Sequence, residues 1–484
     1  TYNTAVGYGA GYAVTTGISN TLIGGLAGDA LTDADSNVAV GYNSLSTNTL
    51  GSACTAVGSG ALFAHNVTSA ALTYNTAVGY DAGNAVTTGI KNTLLGGLAG
   101  DAITDADYNV ALGYEALTVD TLGGNSVAIG AFALRDQNFT SATNAYNVGI
   151  GYEAGGSITT GVQNTLIGGL SGDSLTTGQE NVAIGYAALD GDTAGKGSIA
   201  IGVNSLGVQN FSTATYSNNT AIGHNSGASI TTGVQNTILG AYAGDALTDA
   251  DHNVVVGYAA LSSDTLGSKS IAIGHAALQV QNFVTATDAY NVAVGYNAGQ
   301  QITTGNTHSL FGGFAGTAIT NGTHNTCLGY YSGGQITTGD NNITIGRGAG
   351  VSLFSDSLSN LTTADNQIIL GNTSHSNAFI QIDWTVVSDE RDKTEIENVT
   401  HGLSFVKQMR PISYKFNTSR EDSTTRGPTR YGFSAQDVLA LEGDNPVIVN
   451  NQETDKLKLT SAYIIPVLVK AIQELEARIA TLEG

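Results

Sequence analysis

Asn3-Thr4-Ala5-Val6-Gly7, Asn20-Thr21-Leu22-Ile23-Gly24, Asn37-Val38-Ala39-Val40-Gly41 and Cys54-Thr55-Ala56-Val57-Gly58 are four versions of one pentapeptide, each 17 residues after the last. A step of 21 residues follows, and the set restarts at Asn75, Asn147, Asn219 and Asn291. The chain therefore carries a 72-residue period made of steps of 17, 17, 17 and 21. The last full register is Asn291, His308, Asn325 and Asn342, followed after a longer gap by a degenerate copy, Gln367-Ile368-Ile369-Leu370-Gly371. Spacing this strict marks stacked copies of one small unit and excludes an ordinary globular core.

With the Asn as position 0, position +4 is Gly and position +3 is large and apolar (Val6, Ile23, Ile129, Leu239, Phe311). Position +2 is mostly Ala or Leu, and +1 is Thr, Val, Ile or Ser. Five such residues read as a short buried strand ending in a turn, the Gly supplying a backbone state that a Cβ would forbid. Thr15-Thr16-Gly17 and Thr159-Thr160-Gly161 give the second half of the coil its own turn. Alternation puts +1 and +3 on one face and +2 on the other. On this reading the first face fills the coil interior, and the Ala- and Leu-rich face is left outward for a partner. The expected fold is mainly β: a parallel β-roll or β-solenoid shaft over residues 1–350, trimeric about a common axis, of about 95 Å for twenty rungs.

Composition narrows the function. Glycine numbers 64 of 484 residues, charged residues are 12%, and the net charge is −22. So acidic a chain is a poor partner for nucleic acid or an anionic membrane surface. No apolar stretch approaches the roughly 20 residues that span a bilayer, so membrane insertion is not expected. The chain opens in mid-repeat at Thr1-Tyr2-Asn3, which reads as a piece of a longer protein. Cys54 and Cys327 lie about 70 Å apart on the solenoid reading, too far for a disulfide, and stand as small buried thiols in the Asn and Ala positions. Clusters such as Asp29, Asp33 and Asp35 recur with the repeat and offer a weak calcium site against solvated loop carboxylates. The histidines show no metal-ligand spacing, and no cofactor is expected. A glycan-cleaving carboxylate pair would be unique, whereas these acids repeat.

Character changes near residue 388. All four prolines, 12 of 17 Lys and Arg, and only 5 of 64 glycines lie beyond it. This shift marks a boundary between Val387 and Ser388. Residues 351–387, including Trp384, read as a connector or distal tip. Beyond them lies a small α+β domain, 388–484. Its terminal helix, 466–483, carries Leu468, Ile472, Leu475, Ile479 and Leu482 at steps of 4, 3, 4 and 3, a coiled-coil seam. Pro466 suits the helix start, and Glu474 is placed to pair with Arg478. From composition alone, Ser388 reads as a helix N-cap before acidic first-turn residues.

The pentapeptide repeats resemble the head repeats of trimeric autotransporter adhesins, which implies architecture more than function. Ser388-Asp-Glu-Arg-Asp-Lys393, Met409-Arg-Pro-Ile-Ser-Tyr414, Tyr431-Gly-Phe-Ser-Ala-Gln436 and Leu459 through the terminal helix resemble the intramolecular chaperone auto-processing domain that ends many phage tail fibres and tailspikes, including endosialidases. The wording around Trp384 is similar to cyanophage fibre proteins. The chaperone resemblance implies a domain that trimerises, folds the fibre before it, and cuts itself off between Val387 and Ser388. Ser388 is then the nucleophile and Lys393 the base of a single-turnover serine peptidase, with Arg391 as a cation favouring the neutral amine. It also implies a virion fibre that forms a homotrimer, joins phage tail or baseplate proteins through the missing N-terminal part, and meets a host-surface receptor or glycan. The alternatives are a bacterial cell-surface adhesin using the same roll, a depolymerase, and a fibre that keeps its C-terminal domain as an uncut tip.

Overall fold

The structure is a computed structural model that describes residues 2–351, 361–375, 378–379, 381, 385–417, 422–452, 454–455 and 457–484. Trp384 and much of the expected connector lie outside the described residues. The chain forms two units, Thr1–Val351 with Leu361–Ile369, and a second that contains Leu370–Gly484.

The first unit is a parallel β-solenoid. Each pentapeptide contributes a three-residue strand, from Thr4–Val6 to Ile343–Ile345, and Ile368–Leu370 completes a sheet of 21 strands. Registers are in step with the repeat, as in Thr165↔Val182, Leu166↔Ala183 and Ile167↔Ile184.

Three residues per strand give few ladder bonds, and side chains make up the difference. The Asn164 backbone N–H donates to Asn147 Oδ1 at 2.9 Å, and Asn181 N–H donates to Asn164 Oδ1 at 3.1 Å. The Nδ2 of Asn164 donates to the Gly178 carbonyl of its own coil at 2.9 Å. Asn at position 0 is the side chain that accepts from the next rung and donates within its own, and from Asn20 onward these residues are fully buried. A second ladder runs along the Thr-Thr-Gly turns, where Thr159 Oγ1 donates to the Thr176 carbonyl at 3.1 Å and Thr176 Oγ1 to that of Thr193 at 3.0 Å.

The interior corrects the facing expected from sequence. Position +2 points inward and is fully buried, while +1 and +3 point outward and are half-buried or exposed. The coil is too thin for β-branched side chains at +1 and +3 to fill it. Ala or Leu at +2 instead meets a side chain from the far wall of the same coil. Volume is traded between them. Leu94 and Ile103 fill the sixth coil only because Gly100, at φ 56°, leaves room, and a Cβ there would press on both. The seventh coil reverses the trade, with Ala111 at +2 and Leu117 in the Gly position. The Gly at +4 is required by backbone: Gly168 has φ 135°, and a Cβ would strike the Gly185 carbonyl.

The 72-residue period also has a physical cause. In the first four blocks the interior position eleven residues after the Asn site is apolar in the first two coils (Val86 and Ile103 in the second block) and polar in the next two (Asp120 and Gln137). In the second block, Gln137 Nε2 donates to Asp120 Oδ2 at 2.6 Å and to Ser126 Oγ at 3.0 Å, and its Oε1 accepts from Asn147 Nδ2 at 2.8 Å. Asp120 Oδ1 accepts from the Gly123 and Phe139 backbone N–H groups. Asp192, Gln209, Ser198 and Asn219 repeat this quartet, as do Asp264, Gln281, Ser270 and Asn291. The four extra residues of the 21-residue coil make room for a two-residue parallel strand, Thr143–Asn144 against Gly123–Gly124. Phe139, Phe211 and Phe283, which follow the quartet glutamines, are buried beside them. Burial raises the Asp120 carboxyl above its usual range, since only neutral donors hold it. In the first block, Asn48 and His65 replace the Asp–Gln pair, and Cys54 Sγ lies 2.9 Å from Thr73 Oγ1.

Both cysteines are free and buried in the positions expected, Cys54 at 0 and Cys327 at +2. Burial pushes their thiols up, to about 11 and about 12.

The second unit is small and mixed. Helix α1 (Leu403–Val406), α2 (Ala435–Glu442) and α3 (Ile464–Glu483) surround a core of Phe405, Met409, Val438, Ile448, Val449, Ile464 and Val467. Ile412–Asn417 pairs antiparallel with Thr425–Gly432. Helix α3 starts two residues before the expected point, with Pro466 in its first turn.

Replacing Asn164 with Ala strips one rung of the ladder and leaves the Asn181 N–H and Gly178 carbonyl buried without their partner. The expected loss is about 1–3 kcal/mol per unsatisfied group, read as a lower denaturant midpoint. His308 stands at an Asn position, where its Nδ1 accepts from Asn325 N–H at 3.2 Å. Burial holds its folded-state value down at about 4, against 6.5 for the free side chain. Its contribution is thus complete above 6.5 and is lost as pH falls from there toward 4. His308→Asn should unfold at a higher temperature than the parent at pH 4.5, and the gap should narrow at pH 7.5.

Candidate functional site

Asp389 and the turn after it build the site. Asp389, rather than Ser388, is the N-cap of a single 3₁₀ turn, Glu390–Asp392, its carboxylate accepting from Arg391 N–H. A carboxylate caps more strongly than a hydroxyl here because it also holds the Arg391 guanidinium, at 2.6 Å from Nη2 and 3.0 Å from Nε. That arginine, hydrogen-bonded first and foremost, keeps the Asp389 carboxyl below its usual range. Arg391 therefore spends its fork on Asp389. The turn brings Lys393 back over Ser388. Lys393 Nζ lies 2.7 Å from Ser388 Oγ and 3.0 Å from the Ser388 carbonyl oxygen. The structure thus joins the two residues expected to form a nucleophile–base pair. Val387, Ser388 and Lys393 are all exposed.

The remaining motifs converge on the unit's core. Met409 is buried, and the next residue, Arg410, grips Asp437 with Nε at 3.0 Å and Nη2 at 2.7 Å. Asp437 follows the motif that ends at Gln436, so one ion pair joins the second motif to the third. Ser434, inside that third motif, caps α2 by accepting from Asp437 N–H.

The roles of two carboxylates here escaped sequence reasoning. Glu442 accepts from three successive backbone N–H groups, Val447, Ile448 and Val449, at 2.8, 2.6 and 3.0 Å. Glu474 reaches α1 and accepts from Leu403 N–H at 2.8 Å. The expected Glu474–Arg478 pair is not formed, because Glu474 is turned toward that cap and toward Lys470, 3.9 Å away. Gly402 leaves the space the carboxylate occupies. Neither contact has a local sequence signal, since each joins residues distant in sequence or a carboxylate to bare backbone. The heptad residues Leu468, Ile472, Leu475, Ile479 and Leu482 are all exposed on α3.

The aspartates weighed as a calcium site serve as inter-coil acceptors. Asp33 Oδ1 accepts from Thr16 Oγ1 at 2.5 Å, Asp35 Oδ1 from Ile18 N–H at 2.7 Å, and Asp29 Oδ1 from Ser46 Oγ at 2.6 Å. Among the described residues, no three metal-ligating side chains converge.

Residues 388–445 match the model of a family described as chaperone of endosialidase. No curated protein and no solved structure matches the chain. The matched segment opens on Ser388, contains the Ser388–Lys393 pair and ends just past α2.

Proposed function

We propose that this chain is a structural, host-recognition fibre of a bacteriophage. Its segment from Ser388 onward acts as a trimerisation chaperone and then cuts the chain at Val387–Ser388. The observation that carries this reading is the 2.7 Å approach of Lys393 Nζ to Ser388 Oγ at the first residue of the family match.

The chemistry is a self-limited acyl transfer. Lys393, as the neutral amine, takes the Ser388 Oγ proton, and the oxygen attacks the Val387 carbonyl carbon. The Val387–Ser388 C–N bond breaks, and the Ser388 nitrogen takes up a proton. Water then hydrolyses the ester, giving the Val387 carboxylate and restoring the Ser388 hydroxyl. In the single chain both side chains are exposed to water. Cover from neighbouring copies would favour the neutral amine.

Two apolar surfaces support a trimer. One is the seam on α3, exposed on a helix that already buries Ile464, Val467 and Ala471 inside its own unit. The other is the outer face of the solenoid sheet, where +1 and +3 place residues such as Val6, Ile23, Leu239 and Phe311 outward on rung after rung. A bacterial adhesin built on the same roll would share the second surface. It gives no role to the Ser–Lys pair.

The test compares the parent with Ser388→Ala and Lys393→Ala by intact mass and denaturing gel. The expected outcome is release of residues 388–484 from the parent and from neither variant, with trimers seen by light scattering. A parent that stays whole but trimeric makes the C-terminal unit a retained tip and removes the peptidase.

A further inference from the structure

Counting from the Asn, position +5 follows the obligatory Gly at the end of each strand. In every odd-numbered coil from Tyr8 to Tyr330 this residue is Tyr, with His224 in the thirteenth coil. In even-numbered coils it is mostly Gly or Ala, as at Gly97, Ala131 and Gly169. The fold does not need these tyrosines, since neighbouring coils of the same path do without them. They are exposed all along the solenoid, Tyr114 at 51% and Tyr80 at 63%. Where the preceding coil has Gly at this position, as at Gly25, Gly97, Gly169 and Gly313, the tyrosine ring leans over it, and where the even coil has His275 the rings of Tyr258 and Tyr296 stack on it at 5.6 and 4.9 Å. Tyr42 Cδ2 would stand only 3.3 Å from a Cβ on Gly25, and Tyr114 and Tyr186 lie similarly over Gly97 and Gly169. At these coils the Cδ2–Cε2 edge of the ring stands over the glycine, with two rungs between successive tyrosines. At about 4.8 Å per rung this is about 9.6 Å, the length of a disaccharide in an extended glycan.

The residue after each tyrosine completes the pattern. In odd coils it is often a carboxylate or amide, as in Asn43, Asp81, Glu115, Glu153 and Asn297. Asp81, Glu115 and Glu153 lie within reach of the hydroxyls of Tyr80, Tyr114 and Tyr152. In even coils the same position is commonly apolar, as in Leu98 and Phe132, and Phe132 sits edge-on between Tyr114 and Tyr152 at 5.6 and 5.9 Å. An aromatic face beside a hydrogen-bond acceptor suits a pyranose ring, whose C–H face is apolar and whose edge carries hydroxyl donors. The carboxylates and the net charge of −22 select against an acidic polymer.

We infer that the tyrosine rail is a binding site for an extended neutral polysaccharide, one disaccharide for each pair of coils. This rests on the fibre reading above and gives its host contact a place on the solenoid, apart from residues 351–387. The test is affinity electrophoresis of the full chain in gels containing hydroxyethyl cellulose, galactomannan or alginate. Three forms are compared: the parent, Tyr114→Ala/Tyr152→Ala/Tyr186→Ala, and the matching triple Phe variant. The expected result is retardation of the parent by a neutral polymer and not by alginate. The Ala form should lose about tenfold or more in affinity, and the Phe form should keep most of it. Light scattering should show the same trimer in all three. A parent that neither neutral gel retards, an Ala form retarded as strongly as the parent, or retardation by alginate alone overturns the inference. So does an Ala form that loses the trimer while still being retarded, because the rings would then face another copy. Fragment release on the same samples separates the two readings. Lost glycan binding with intact release removes only the rail, and an uncut, monomeric parent that is still retarded removes only the fibre.

Discussion

The asparagine ladder is the constraint on which the solenoid depends. Most coils have 17 residues and only three in the main strand, so most of the backbone must find partners elsewhere or be left buried and unsatisfied. One Asn per coil answers this twice, by accepting the N–H of the next Asn and by closing its own turn on the carbonyl 14 residues ahead. An amide is the smallest side chain that both accepts and donates in this geometry. Where the sequence departs from it, the departure is local. Ser126, Ser198 and Ser270 each accept from the Nε2 of a glutamine in the same block, whose Oε1 accepts from the side-chain Nδ2 of the next Asn.

That substitution explains why the true repeat is four coils and not one. A serine is too short to span the ladder gap, so Gln137 bridges from Asp120 to Asn147. The aspartate is buried without a cation, a costly arrangement tolerated because every acceptor position shown for it is filled. Buried polar groups of this kind penalise a coil that packs one step out of place, since an apolar neighbour would leave them unpaired. They cannot distinguish one block from the next, because three successive blocks carry the same quartet. Register between separate chains therefore stays nearly degenerate at 72 residues, and a repeat of this type profits from a clamp at one end that aligns copies before they zip.

The fold was legible because its signal is periodic. The strands, the +4 glycines, the degenerate copy at Gln367 and the places of both cysteines could be read from spacing alone. Inside and outside could not. Alternation says that +1 and +3 share a face, yet which face is interior depends on the coil's thickness, set by the far wall and residues such as Leu117 and Ile103. The Asp120 quartet left a signal, since Asp120, Ser126 and Gln137 recur together at 72 residues, but it looks like loop polarity until the extra four residues fold over it. At the candidate site, Ser388 and Lys393 were legible through motif resemblance, whereas the capping role of Asp389 and the turning of Glu474 toward Leu403 follow from backbone geometry that no residue type announces.

In the proposed fibre, one occupant meets two separate needs. A 20-residue helix with five large apolar side chains in water, and a sheet of 21 strands whose outward rows are largely aliphatic, are each unfavourable surfaces for a lone chain. Two further copies would cover both, and the same cover at Ser388 would take water away from Lys393. The Oγ–Nζ separation is already short enough for proton transfer. In the proposed mechanism, distance would then not be what restrains cleavage in a single chain; the water around the exposed pair would be. A dyad assembled by one 3₁₀ turn and held in water until neighbours close over it would cut after assembly and not before. The released shaft would then have no route back through its chaperone, which turns an equilibrium fold into a kinetically stable one.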